Sequence, residues 1–271
     1  MNPLLYFNGD SFVQGAELGD DILPDHPGYL SYNSSTNERD VKKQWRASIP
    51  PSSDEIIRLE LSRNFSSKVA EITGLKYINH ALGGASMDSI VRSTLRDLIE
   101  LKNDNRVIAF IGTTEPFRAE FASSESEHVD MHGYYNDWQT IGLWESNNDD
   151  PISAIRKYKV MYEHDYHRMV NFYKNVIVLQ DFCKLHNIDL YWIKPLPSII
   201  EVTDKYSSRP DLLNFKQYAN IQYSFDFSKV VEDNRDKLLI CPGGHYNKLA
   251  HDMFAEQIAN FIKIVYGELN V

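Results

Sequence analysis

Ser11 and His245 are the two side chains of this 271-residue sequence best suited to covalent chemistry together. Ser11 closes a Gly9-Asp10-Ser11 turn directly after an apolar run, Leu4-Leu5-Tyr6-Phe7, that reads as a buried strand. His245 lies in Cys241-Pro242-Gly243-Gly244-His245-Tyr246-Asn247, between a short apolar run and the last helical stretch. A serine hydroxyl is a weak nucleophile until a base takes its proton, and a histidine can take that proton and return it to a leaving group. The pair therefore points to acyl transfer, which also needs donors for an oxyanion. Two turns supply candidates, Gly83-Gly84 and Gly112-Thr113-Thr114-Glu115. Glycine lets a backbone N–H approach closely, and the Thr114 hydroxyl offers a further donor.

The elements that must hold these residues alternate between strand-like and helix-like segments, the pattern of a doubly wound α/β sheet. Strands are predicted at 4–8, 76–81, 106–112, 190–193 and 237–240. A helical region runs from Ser53 to a stop at Gly74, and Val91, Leu95 and Leu98 mark the buried stripe of another. A third covers 152–186, with Met169, Phe172, Val176 and Leu179 on one face. The last carries Leu249, Met253, Ile258, Phe261, Ile262 and Val265 as its stripe. Ligands of such sheets bind at the carboxyl ends of the strands. Ser11, Gly83-Gly84, Gly112 to Glu115 and His245 all fall at that edge. The polar stretches at about 12–52 and 113–151 read as surface insertions on a single domain spanning 1–271.

Composition narrows the function classes. A net charge of −10 argues against a nucleic-acid partner, because phosphate binding needs clustered Lys and Arg. No apolar run approaches the roughly 20 residues that span a bilayer. Met1-Asn2-Pro3 lacks the basic start of a signal peptide, so cytoplasmic synthesis is expected. Cys183 and Cys241 are too few for a disulfide framework, and no metal or cofactor is expected. Glu163-His164-Asp165-Tyr166-His167 puts two histidines at i, i+3 without a third ligand, and His128-Val129-Asp130-Met131-His132 lies in a polar loop; neither reads as a metal site. Tyr134, Tyr135, Trp138 and Trp144 either cap the crevice or bury their own insertion, and Glu145 to Asp150 reads as a solvated loop.

Four short blocks, in order along most of the chain, resemble the SGNH hydrolases, also called GDSL lipases or acylhydrolases. Gly9-Asp10-Ser11 matches the first block and implies Ser11 as nucleophile. Asn79-His80-Ala81-Leu82-Gly83-Gly84 is similar to the second and implies Gly84 as an oxyanion donor beside the Ser11 N–H. Gly112-Thr113-Thr114-Glu115 stands in the place of Gly-x-Asn-Asp, with Thr114 where the family has the donor Asn. His245-Tyr246-Asn247, followed by His251, resembles the block carrying the catalytic base. The resemblance implies a flavodoxin-like three-layer α/β/α sandwich of about five parallel strands. It implies metal-free hydrolysis of esters, here of a small-molecule ester or an acylated glycan.

The family's Asp, three residues before the base, is Pro242 in this chain. Proline cannot accept from an imidazole, so a Ser-His dyad is implied, with Asp226, Glu115 or a backbone carbonyl as candidates to orient His245. Asp10 and Glu115 are expected to line the site. Asn-Gly-Asp-Ser-Phe, Gly-Thr-Thr-Glu-Pro and Cys-Pro-Gly-Gly-His are also similar to segments of SGNH-like proteins of tailed bacteriophages. That implies virion association and a protein partner, and it frames the alternative: a scaffold of this fold that binds, without turnover. Recognition of a carbohydrate without cleavage is a third reading, requiring the insertion aromatics in the crevice.

Overall fold

The computed structural model describes residues 3–16, 18, 53–122, 138–141, 165–196, 209–237, 239–241 and 245–267. Most of the 12–52 insertion lies outside them, as do Pro242, His128, His132, His164, Tyr134, Tyr135, Trp144 and the acidic stretch 145–150.

Five strands form one parallel sheet: β1 (Pro3–Asn8), β2 (Lys76–Asn79), β3 (Arg106–Gly112), β6 (Asp189–Lys194) and β7 (Tyr223–Asp226), in the order β2-β1-β3-β6-β7. The expected doubly wound α/β sheet is therefore present. Between β3 and β6, β4 (Ala119–Ala122) and β5 (Trp138–Ile141) pair as a separate antiparallel ribbon, so part of the 113–151 insertion is regular structure. The helices are α1 (Ser11–Gln14), α2 (Ser53–Arg63), α3 (Phe65–Thr73), α4 (Met87–Leu101), α5 (Asp165–Leu185), α6 (Pro210–Ala219), α7 (Phe227–Asp233) and α8 (Lys248–Tyr266).

One face of the sheet packs with α3, α7 and α8, the other with α4, α5 and α6. On the first face Phe7, Phe110 and Tyr191 occupy one register row across β1, β3 and β6. Their rings stack at centroid distances of 5.1 and 5.4 Å. Such pairs add about 0.5–1.5 kcal/mol to the burial of the rings themselves. Met169, Phe172, Val176 and Leu179 are buried against the second face, as their spacing predicts.

Three sequence expectations are corrected. The helical region from Ser53 to Gly74 is two helices, because the Asn64 side chain accepts from the Ser66 and Ser67 N–H groups and starts α3 afresh. The fifth strand is Tyr223–Asp226 and not 237–240. Phe225, 7% exposed, pins β7 against Phe254 and Phe261 of α8. Ile240 is 47% exposed and makes only an isolated antiparallel bridge to Tyr246. Finally, the buried stripe of α8 is rotated: Leu249 and Val265 face outward, while Ala250, His251, Phe254, Ala255, Ile258 and Ile262 are buried. Alanines and a neutral histidine carry part of this stripe, which a count of large apolar residues overlooks.

Candidate active site

The chain passes from β1 outward to β2 and returns across β1 to β3, so the switch point of the sheet lies between β1 and β3. Crevices form where successive connections leave in opposite directions. Gly9 ends β1 and Gly112 ends β3, and Val13 packs over both. A β-carbon on either glycine would overlap the Val13 Cγ2, so α1 can seat on the sheet only because both positions are bare. This close approach fixes the turn that carries Ser11.

Asp10 is the N-cap of α1 and is fully buried. Its Oδ1 accepts from the Phe12 N–H at 3.1 Å, and its Oδ2 accepts from the Thr114 hydroxyl at 3.1 Å. Arg118 Nη1 stands 3.3 Å from the same Oδ2. Burial pushes the Asp10 carboxyl above its ordinary value, opposed by the Arg118 charge and by the Phe12 and Thr114 hydrogen bonds.

His245 reaches Ser11 from the far end of the chain: its Nε2 lies 2.9 Å from the Ser11 Oγ. The isolated bridge places it. The Cys241 N–H donates to the His245 carbonyl at 2.7 Å and the Asn247 N–H to the Leu239 carbonyl at 2.9 Å. The Tyr246 hydroxyl donates to the Pro195 carbonyl at 2.9 Å, tying this bridge to the end of β6. Phe12 packs against both rings, 4.9 Å from that of His245 and 5.0 Å from that of Tyr246. The bridge, though no strand, delivers His245 to the expected edge.

Gly84 follows β2 in a turn closed by the Ala85 N–H donating to the Leu82 carbonyl at 3.1 Å. Its φ of +81° is the conformation that the third position of a type II turn demands. The turn lies beside Ser11. The Gly83 N–H donates to the Gln14 Oε1, and Gln14 Nε2 donates to Glu60 at 2.6 Å. His80, at the entry to the turn, is anchored by its Nδ1 at 2.5 Å from Asp97 of α4. Burial alone would raise the Asp97 carboxyl, but the His80, Tyr6 and Arg96 contacts outweigh it and hold it below the ordinary range.

The structure thus brings Ser11, His245 and Asp10 together at one strand edge, with the Gly83-Gly84 turn alongside. Thr114, expected as a further oxyanion donor, directs its single hydroxyl hydrogen at the Asp10 carboxylate. Glu115 faces Arg118, with 3.9 Å between Oε2 and Nε. Asp226 caps α7 through the Lys229 N–H and stands 3.5 Å from Lys194, so its contacts lead away from His245. His167 is exposed on α5. Among the described residues, no cluster of three metal-ligating side chains occurs, and no helix is long and apolar enough to cross a membrane.

Two site residues escaped the sequence reading. Gln14 had a usable signal, since it lies one helical turn after Ser11 and therefore on the same side. Arg118 had none: its acceptors on the Ser11 and Gly84 turns, Asp10 and the Ala85 carbonyl, are 108 and 33 residues away.

No family model matches the chain, and no curated protein matches it significantly. Solved structures of similar arrangement include a lipolytic protein of the G-D-S-L family from Desulfitobacterium hafniense, at 10% identity and a TM-score of 0.49, covering 96% of this chain and 99% of that one. The psychrotrophic esterase EstA from Pseudoalteromonas is 11% identical with a TM-score of 0.47, covering 97% and 98%. A carbohydrate esterase family 2 enzyme from Myceliophthora fergusii is 10% identical with a TM-score of 0.49, covering 98% of this chain and 67% of that one. Likenesses this distant carry no weight for the chemistry.

Proposed function

We propose that this chain is a carboxylic-ester hydrolase of the SGNH type, using Ser11 as nucleophile and His245 as base and acid. The observation that carries the reading is the 2.9 Å separation of His245 Nε2 from Ser11 Oγ at the switch point of the sheet. In the tautomer with its hydrogen on Nδ1, His245 accepts the Ser11 proton through Nε2 as Oγ attacks the ester carbonyl carbon. The carbonyl π electrons move to its oxygen. The Asp10 carbonyl takes the Val13 and Gln14 N–H groups and its side chain takes that of Phe12, which leaves the Ser11 N–H of this turn for the oxyanion. The Gly84 N–H, next along from the Gly83 donor that Gln14 occupies, is the second. Collapse of the tetrahedral intermediate breaks the C–O bond, and His245 returns its proton to the departing alkoxide. Water, deprotonated by the same histidine, then attacks the acyl carbon; the second tetrahedral intermediate breaks its bond to Ser11 Oγ, which takes the proton back from His245 as the acid departs.

The substrate class proposed is an ester of a small acyl group, with an acylated carbohydrate as its natural carrier. Hydrolysis of p-nitrophenyl acetate tests the chemistry, and release of acetate from acetylated glycans tests the carrier. The Ser11→Ala variant is expected to abolish both without changing the thermal midpoint. Turnover unaffected by that substitution would exclude the mechanism.

One observation favours the alternative of a binding scaffold, with a virion or other protein partner. Commitment of the Thr114 hydroxyl to Asp10 leaves two oxyanion donors where the family resemblance implies three. A missing donor typically costs about 10²–10³ in rate, which lowers activity without abolishing it. The alternative predicts no Ser11-dependent turnover and a stable complex with that partner.

A further inference from the structure

Arg118 touches all three strand-end turns of the site. The turn Glu115-Pro116-Phe117-Arg118 closes with the Arg118 N–H donating to the Glu115 carbonyl at 3.2 Å and returns the side chain toward the sheet. Its side chain is only 8% exposed. Nη1 stands 3.3 Å from Asp10 Oδ2 on the nucleophile turn and 3.3 Å from the Ala85 carbonyl, which directly follows Gly84. Nε faces Glu115, 3.9 Å away, on the turn after β3. The next residues form β4, and Glu120 there receives both Nε and Nη2 of Arg92 from α4 at 3.1 and 2.6 Å. The segment that carries Arg118 is thereby fixed at both ends.

We propose that Arg118 is a positioning residue for ester hydrolysis: by bridging Asp10 to the Ala85 carbonyl it sets the distance between the Ser11 and Gly84 backbone donors. This rests on the hydrolase reading above. An oxyanion site is effective only when its donors stand 2.7–3.1 Å from the place the oxyanion will occupy. With two donors in place of three, the spacing between those two governs the rate more strongly. A guanidinium suits the task because its rigid fork serves two acceptors in fixed directions, whereas an ammonium supplies charge without that geometry.

The test compares wild type with Arg118→Lys, which keeps the charge, and with the double variant Arg118→Met/Asp10→Asn, which removes the buried ion pair as a unit. Each is assayed for kcat and KM on p-nitrophenyl acetate, for the rate of Ser11 modification by a small fluorophosphonate, and for thermal midpoint. In Arg118→Lys, kcat and the modification rate are expected to fall 10- to 100-fold at unchanged KM and unchanged midpoint. The double variant is expected to show the same loss while remaining folded. A kcat within twofold of wild type in either folded variant would overturn the proposal. So would a loss that merely tracks the unfolded fraction. Absence of Ser11-dependent turnover in wild type is a separate failure, that of the hydrolase reading, and is read before any Arg118 variant is compared.

Discussion

The Thr114 hydroxyl donates to the Asp10 carboxylate at 3.1 Å, across the gap between the end of β3 and the turn that carries Ser11. Thr114 therefore supports the N-cap of α1, the short helix that begins at Ser11. Thr114→Val should lower kcat by less than tenfold, since neither backbone donor is lost. A loss of 10²–10³ would instead mean that Thr114 bonds the oxyanion directly.

His251 makes stability depend on acidity. Its Nδ1 accepts from the Phe65 N–H at 3.2 Å at the start of α3, and its ring is 1% exposed. Burial, with the charges of Lys248 and His245, lowers its pKa to about 3 from an ordinary 6.5. In the unfolded chain it protonates near 6.5, so between those values the unfolded state holds more protons than the folded one. Stability is thus full above about pH 6.5 and falls by up to ~1.4 kcal/mol for each pH unit below it. Denaturant unfolding at pH 7 and pH 5 should show this loss, and His251→Gln should shrink it. An unchanged pH dependence in that variant would contradict the assignment.

Gly84 adopts φ +81° with nothing within 4 Å of where a β-carbon would stand. Gly84→Ala therefore meets strain and no clash, a cost of about 1 kcal/mol by the ordinary penalty for a left-handed residue. If the Gly84 N–H donates to the oxyanion, kcat should fall further than that stability change explains, by more than tenfold. A normal kcat would remove Gly84 from the site.

Asn64 holds the start of α3 and the helix α1 together. Its side chain caps α3 and donates to the Val13 and Gln14 carbonyls at 3.0 and 2.9 Å. Asn64→Ala loses the cap, about 0.5–2 kcal/mol, and leaves buried carbonyls short of donors at about 1–3 kcal/mol more. The thermal midpoint should drop accordingly; a change within error would mean that water replaces these bonds.

Much of this was readable in the residues, for identifiable reasons. β3 announced itself because a strand buried on both faces is a continuous apolar run, Val107 to Ile111. Ser11 and His245 stood out because a turn after a strand and a glycine-rich loop before a helix both fall at the ligand-binding edge. β7 was hidden because Tyr223-Ser224-Phe225-Asp226 sits at the edge of the sheet with one face partly open, and so lacks that run. The wiring of Asp10 to Thr114 and Arg118 was illegible because it depends on side chains brought together from distant parts of the chain, which no local spacing encodes.

A small fluorophosphonate tests most directly whether Ser11 is a nucleophile activated by His245, with mass spectrometry of the protein after treatment in wild type, Ser11→Ala and His245→Ala. One adduct is expected on the Ser11 peptide in wild type, none in Ser11→Ala, and at least 10²-fold slower labelling in His245→Ala. No adduct on Ser11 in the folded wild type, or labelling at the same rate without His245, would contradict that reading.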